Sequence, residues 1–286
     1  MSATRPPDKA GLVLPADLRI LAEGLLDHPE CVAWCPLTRA IYCGGEAGQI
    51  HRVVDLDTGA AEQVAQIDGG SICGVAVDGA GAVVACDING GRVWRVEPGG
   101  EARPYGDPVA YPNFPVLDPA GGLWVSDSGS YDGGDGGIVR IGRDGSTSRL
   151  PLRGLRFANG MAAHEGRLYV IESQGPSVAR LDVSGGGDLE EVVVLPGTVP
   201  DGLAFDSEGG LWISCYQPNR VYRLAPGGAL ELVVDDWSGW HVTMPTNLAF
   251  AGPDLDVLVL AGLGGQHLCS FRPGVRGAPL ARPVLA

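Results

Sequence analysis

The chain has 286 residues, 45% of them hydrophobic, and its 45 glycines and 22 prolines interrupt every apolar stretch well short of the roughly 18 residues that a membrane-spanning helix needs. A formal net charge of −14, spread over scattered acidic residues, repels phosphate backbones and excludes nucleic acid as the expected partner. The opening stretch MSATRPPDKAGLVLPADL lacks the apolar run of a secretory signal, so the expectation is a soluble cytoplasmic protein that does not bind membranes.

In chain order, residues 1–17 read as an irregular arm and LRILAEGL (18–25) has strand character. Then one unit repeats six times. Its first line is ECVAWCP (30–36), CGVAVDG (73–79), NFPVLDP (113–119), NGMAAHE (159–165), DGLAFDS (201–207) and TNLAFAG (246–252), with successive starts 40 to 46 residues apart. A second apolar line follows in each copy (AIYCG, AVVAC, GLWVS, RLYVI, GLWIS, DVLVL) and a third after it (QIHRV, RVWRV, GIVRI, SVARL, RVYRL, HLCSF); a fourth is weaker. Four short strands per copy, turn residues between them and no 3.6-residue period predict an all-β, six-bladed β-propeller with four antiparallel strands per blade, as one domain. The strand at 18–25 is predicted to join the last blade and close the ring.

Several recurring residues have a structural explanation. The aromatic residues of the second line (Tyr42, Trp124, Tyr169, Trp212) are expected to pack between blades, and the arginines of the third (Arg52, Arg95, Arg140, Arg180, Arg223) to bind loop carbonyls. Seven cysteines are an odd set, and five (Cys31, Cys35, Cys43, Cys86, Cys215) fall in or at the end of apparent strands, which predicts reduced, buried thiols. Cys31 and Cys35 would lie ~13 Å apart in an extended strand, too far for one zinc.

The first strand of a propeller blade lines the central channel, so the residue at its start stands on the rim. That position is Glu30, Cys73, Asn113, Asn159, Asp201 and Thr246 in the six copies. Two carboxylates and two amides converging from separate blades suit a hard cation, for which calcium takes oxygen ligands and tolerates irregular geometry. Burying two anions without compensation costs several kcal/mol, so a positive charge is expected between them. The glycine after Asp201 reads as the small residue of a tight turn.

These segments resemble the SMP-30/gluconolactonase/LRE-like family of six-bladed propellers, from about Leu21 to near Pro253. ECVAWCP is similar to its glutamate motif, although Cys31 and Val32 stand where Gly-Pro is usual. YPNF with Asn113 is similar to its Pro-Asn motif, ANG with Asn159 to its Ser-Asn-Gly motif, PDG with Asp201 to its Pro-Asp-Gly motif, and MPTNLAFAGPDLDVL (244–258) to its sixth-blade signature. The resemblance implies one divalent metal ion, Ca2+ first and Zn2+, Mn2+ or Mg2+ as alternatives, held by Glu30, Asn159 and Asp201. Asn113 would be a further ligand or a substrate contact, and Asp201 the catalytic candidate of a lactone hydrolase. Sugar-lactone members commonly carry arginine where this chain has Tyr111, which points away from a polyol substrate. YVIES, with Glu172, looks closer to strictosidine-synthase-like relatives.

The expected activity is metal-dependent opening of a lactone or a related ester on a small molecule. No Ser-His-Asp arrangement or Gly-x-Ser-x-Gly elbow is visible. A non-catalytic metal- or ligand-binding propeller, and a metal-using lyase or cyclase, stay open as alternatives. Loops between strands two and three fringe the same mouth, the longest being DSGSYDGGDGG (127–137), expected as a flexible rim. Tyr111, Ser128, Tyr131, Glu172 and Tyr216 are the expected substrate-lining residues. His241 is within reach of the rim, whereas His51, His164 and His267 are expected away from it.

Overall fold

The computed structural model describes residues 12, 13, 15–183 and 188–285. Among them there is no α-helix, and no helix long and apolar enough to cross a membrane. Six four-stranded antiparallel sheets form the blades of a propeller. Blade 1 comprises Cys31–Cys35, Ala40–Gly44, Gln49–Val53 and Ala61–Gln66; blade 2 comprises Ile72–Val77, Val83–Asp87, Arg92–Val96 and Ala102–Pro104. Blade 3 follows with Pro112–Asp118, Gly122–Asp127, Gly137–Ile141 and Thr147–Arg149, and blade 4 with Ala158–His164, Arg167–Glu172, Ser177–Asp182 and Glu190–Val194. Blade 5 has Val199–Phe205, Leu211–Gln217, Arg220–Leu224 and Leu230–Asp235, and blade 6 has Pro245–Ala251, Val257–Gly262 and Leu268–Phe271. Each first strand touches the first strands of both neighbouring blades, so the six inner strands close into a ring around the axis.

The fourth strand of blade 6 comes from the other end of the chain. Arg19–Leu21 pairs antiparallel with Leu268–Phe271 in the register Arg19 to Ser270, Ile20 to Cys269 and Leu21 to Leu268, which joins the sequence ends as the strand character of 18–25 requires. The segment 276–285 adds a second tie on the face opposite the rim residues. Ser207 N donates to Arg276 O (2.8 Å) and Ala278 N to Phe205 O (2.9 Å) in blade 5, Gly277 N to Leu255 O (2.8 Å) in blade 6, and Gly79 N to Pro283 O (3.0 Å) in blade 2.

The apolar residues form not one central core but six, each between two neighbouring blades. Trp212 packs with Leu248, Phe250 and Phe271 of blade 6, Tyr169 with Phe205 and Ile213 of blade 5, Trp124 with Met161 and Val170 of blade 4, and Tyr42 with Val75 and Ala85 of blade 2. The second-line aromatics are thus the inter-blade packing residues. All seven cysteines are buried and unbridged.

The recurring arginines are also structural, but their partners are carboxylates, not loop carbonyls. Arg95 meets Asp78 (3.1 Å), Arg140 meets Asp118 (2.9 Å) and Arg223 meets Asp206 (2.7 Å), each acid lying at the end of the first strand or directly after it; Arg52 and Arg180 pair with Glu62 and Glu190 on the fourth strand. Asp206 shows why a carboxylate is chosen. One oxygen accepts from Glu208 N (3.0 Å) and Gly210 N (2.7 Å), fixing the turn, while the other accepts from Trp212 Nε1 (2.8 Å) and Arg223 Nε (2.7 Å), tying that turn to strands two and three. A single carbonyl oxygen cannot serve four donors.

Burial opposes ionisation of Asp206, but Arg223, Trp212 and the Gly210 amide outweigh it and hold the carboxyl below its ordinary value. Its stabilising contribution is therefore present above the unfolded-state pKa of about 4 and is lost as pH falls through the lower folded value. Asp206→Ala is expected to cost about 3 kcal/mol in urea denaturation at pH 7, because it leaves Arg223 and the Trp212 indole N–H without their buried acceptor. The gap from wild type should narrow as the pH is taken down through the carboxylate range; a gap that is constant with pH would show that the charge of Asp206 is not what holds the turn.

Candidate active site

In blades 2 to 6 the pairing between the first and second strands shifts register at the rim position. The shifts fall between Ile72 and Gly74, Pro112 and Pro115, Ala158 and Met161, Pro200 and Leu203, and Pro245 and Asn247, intervals that contain Cys73, Asn113, Asn159, Asp201 and Thr246. A bulge re-aims a side chain that regular alternation would turn elsewhere. Three rim residues also follow a non-glycine residue in the left-handed region two positions earlier: His28 (φ 44°) before Glu30, Phe157 (φ 61°) before Asn159 and Met244 (φ 48°) before Thr246. Such conformations cost of order 1 kcal/mol each and persist only where the surroundings hold them.

The glycine after the rim residue is not in a turn. Gly160 and Gly202 lie within first strands, where the next blade's backbone approaches closely: a Cβ on Gly160 would stand 2.2 Å from Asp201 O, and one on Gly202 2.7 Å from Asn247 Cα. Gly74 meets Asn113 O at 2.2 Å in the same way. The small residue is required because six inner strands crowd around one axis, and it sets the distance between adjacent rim positions.

Glu30, Asn159 and Asp201 are brought together. The charge of Glu30 acts on Asp201, and the Asn159 side chain hydrogen-bonds the Asp201 carboxyl. Asn159 Nδ2 also donates to Ser173 Oγ (3.1 Å), and Ser173 Oγ donates to Pro200 O (2.7 Å), so blade 4 holds the backbone immediately before Asp201. Thr246 Oγ1 donates to Glu30 O (2.7 Å), fixing the sixth-blade rim residue to the first. Both carboxyl side chains are half-buried in a setting dense with protein. Desolvation raises Glu30 to about 7, opposed by a hydrogen bond from Cys73 and reinforced by Glu46. Desolvation and then the charge of Glu30 push Asp201 well above the usual carboxylate range, with the Asn159 hydrogen bond opposing. Among the described residues, no cationic side chain contributes to either shift.

This donor chemistry fits a hard divalent cation. Two carboxylates and an amide oxygen share one channel end, and their uncompensated negative charge is what a dication would neutralise. Among the described residues no three His, Cys, Asp or Glu side chains are grouped to hold a metal, so amide oxygens such as that of Asn159 are needed to complete any ligand set.

The expected lining residues divide. Tyr111 and Tyr131 are exposed at the mouth, Tyr216 is half-buried at the end of the second strand of blade 5, and Asn113 is buried at its rim position. Ser128 and Glu172 are corrected to structural roles. Ser128 is fully buried and its hydroxyl donates to Ala158 O (2.9 Å), linking blades 3 and 4. Both oxygens of Glu172 are taken, by an ion pair to Arg153 (2.9 Å at the longer contact) and by the Arg156 amide (2.9 Å), so it braces the 153–156 connection and offers nothing to a ligand. The 127–137 loop is pinned, not free: Asp135 Oδ1 accepts from Ser130 N and Oγ (2.9 Å each), Gly136 pairs with Leu155, and Tyr131 packs edge-on to Phe157 with centroids 5.3 Å apart. His267, expected away from the mouth, lies in its blade-6 loop with its ring nitrogen 3.1 Å from His241 O.

An acid whose pKa is raised on folding destabilises the fold as pH rises from its unfolded value through its folded one, for Glu30 from about 4.5 to about 7. In chelator-treated protein at pH 8, Glu30→Gln and Asp201→Asn should therefore melt at least about 2 °C above wild type. The difference should shrink as pH falls and vanish only well below the unfolded values of 4.5 for Glu30 and 3.8 for Asp201, where both carboxyls are protonated in either state. Variants that melt at or below wild type at pH 8 would show that the two carboxylates are already compensated.

The sequence profile of the SMP-30/Gluconolactonase/LRE-like region matches residues 28–262. Pentonolactonase XacC of Haloferax volcanii is 30% identical over 257 residues, covering 86% of this chain and 82% of that protein. Among solved structures, a gluconolactonase of Xanthomonas campestris superposes with a TM-score of 0.75 at 20% identity, over 93% of this chain and 95% of that one. Regucalcin of Agrobacterium tumefaciens, described as a calcium-binding protein, gives 0.77 at 15% identity over 93% and 97%. Taken with the six blades and the rim residues at the motif positions, these matches place the chain in the SMP-30/gluconolactonase/LRE-like family.

Proposed function

We propose that the protein is a lactonase, hydrolysing a small-molecule lactone at the rim formed by Glu30, Asn159 and Asp201. The observation that carries this reading is the pairing of two desolvated carboxylates from blades 1 and 5 with no cationic side chain among the described residues acting on either. Groups held in that state are a recurrent mark of a catalytic or metal-binding centre. The named lactonases among the relatives point to the same chemistry.

Glu30, Asn159 and Asp201 would hold one divalent cation, calcium by the hardness of its ligands, with Asn113 adjacent as a further oxygen. When bound, that ion supplies polarisation of the lactone carbonyl. The chain's own part is positional and protolytic. Asp201, oriented by Asn159, takes a proton from water as the water oxygen bonds to the carbonyl carbon. It returns that proton to the ring oxygen when the acyl C–O bond breaks, giving a hydroxy acid. Asn159 is itself held by Ser173, so the base cannot swing out of line. Seven unbridged buried thiols suit a reducing compartment, which supports the reading of a cytoplasmic protein.

A panel of five- and six-membered lactones assayed by pH-stat tests the reading. Wild-type protein with calcium should open at least one, the product gaining one water by mass spectrometry. Asp201→Asn should lower kcat by about 10²-fold or more, and chelation should abolish turnover until a divalent ion is restored. Wild-type turnover by Asp201→Asn would remove that carboxylate from the mechanism; no turnover across the panel, or a product with no added water, would overturn the hydrolase assignment.

A further inference from the structure

Exposed aromatic side chains are confined to one end of the molecule. Among the described residues, Tyr111 (48% exposed), Tyr131 (59%), Trp237 (90%) and Trp240 (76%) are the only exposed ones, and all four lie in the loops of the rim face. The two tryptophans sit in the connection from Leu230–Asp235 to Pro245–Ala251, a stretch ending in the sixth rim residue, Thr246. Trp240 stands six positions before Thr246, a reach of at most ~20 Å along the chain.

Nothing in the fold requires these indoles. The loop is organised instead by Asp236, which is buried and accepts from Ser238 Oγ (2.6 Å), Gly239 N (3.1 Å), His241 N (2.9 Å) and Val242 N (3.0 Å). From blade 5, Asn219 clamps the same loop at both ends: its Nδ2 donates to Asp236 O (3.1 Å) and its Oδ1 accepts from Met244 N (2.9 Å). A backbone this firmly held, carrying two tryptophans in solvent, presents apolar surface at a fixed place. The two polar side chains that organise it are spent within it. Both oxygens of Asp236 and both amide atoms of Asn219 are engaged within the loop, leaving indole faces but none of these polar groups free for a sugar hydroxyl.

We infer that Trp237 and Trp240 determine specificity, gripping an alkyl or aryl substituent of the lactone whose carbonyl sits at the Glu30, Asn159 and Asp201 rim. The class of substrate is thus a lactone with an apolar side chain, not a polyhydroxylated sugar lactone. This inference rests on the lactonase reading, and two separate measurements keep the failures apart. The first is kcat/KM across γ-lactones bearing alkyl chains from none to eight carbons, with an aldono-γ-lactone beside them. Burial of each methylene is worth up to about fourfold, so the ratio of long-chain to unsubstituted lactone should rise steeply in wild type. It should fall at least tenfold in Trp237→Ala/Trp240→Ala, and stay at the wild-type value in Leu37→Ala, an exposed leucine on the opposite face.

The second measurement is calorimetric binding of the long-chain hydroxy acid, which needs no turnover. Chain-dependent binding that is lost in the double variant supports the inference even if no lactone is opened, in which case only the hydrolase assignment falls. Turnover with a flat chain-length dependence, preference for the aldonolactone, or an unchanged ratio in the double variant overturns the inference and leaves the hydrolase standing. A double variant that alters the sedimentation coefficient but not the ratio also overturns it, assigning the tryptophans to contact with another copy of the chain. Melting temperatures within about 2 °C of wild type confirm that these surface changes leave the fold in place.

Discussion

Two carboxylates that repel each other at one end of a narrow channel are the constraint on which the rest of the structure turns. Glu30 and Asp201 come from blades 1 and 5, and each is driven toward its neutral form first by desolvation. Unassisted folding would not select that arrangement. It persists because the ring of inner strands leaves the rim residues no other place, and because the surrounding backbone is held against relaxation by Thr246 on Glu30 and by Asn159 through Ser173 on the stretch before Asp201. A dication held between the two acids, as proposed above, would convert the largest local cost into a binding site and would make metal binding and fold stability two readings of one balance.

The scaffold supplies this without a central hydrophobic core. Six separate inter-blade cores carry the packing, leaving the axis lined by first strands whose glycines permit close approach. Each Asp206-like carboxylate locks the turn at the far end of its strand, so variation at the mouth is decoupled from stability at the opposite face. The mouth can therefore carry exposed tryptophans and left-handed residues while the ring stays closed by Arg19–Leu21 and tied across its back by 276–285.

Much of this was legible in the residues. The repeat identified six blades, and aligning its copies brought Glu30, Asn159 and Asp201 to one position although they lie far apart in the chain. The bulges at the rim were not legible, because a one-residue register shift leaves no mark in a pattern already broken by Pro and Gly. The glycine after Asp201 was misread for a related reason: glycine marks turns and close backbone contacts alike, and only the neighbouring strand separates them. Ser128 and Glu172 looked like ligand contacts because position in a mouth loop says where a residue is, not whether its polar atoms are already spent. Ser173 escaped notice since its role depends on Pro200 O in another blade. Trp237 and Trp240 escaped because their exposure follows from Asp236 folding the loop onto itself.

The account stands on oxygen-bearing side chains from separate blades capturing one doubly charged ion. A crystal structure of the protein grown with calcium, with anomalous data to locate the ion, tests this most directly. The prediction is a single strong peak within about 2.6 Å of Glu30, Asn159 and Asp201 oxygens. Ordered density in which those three side chains diverge, with no peak between them, would contradict it.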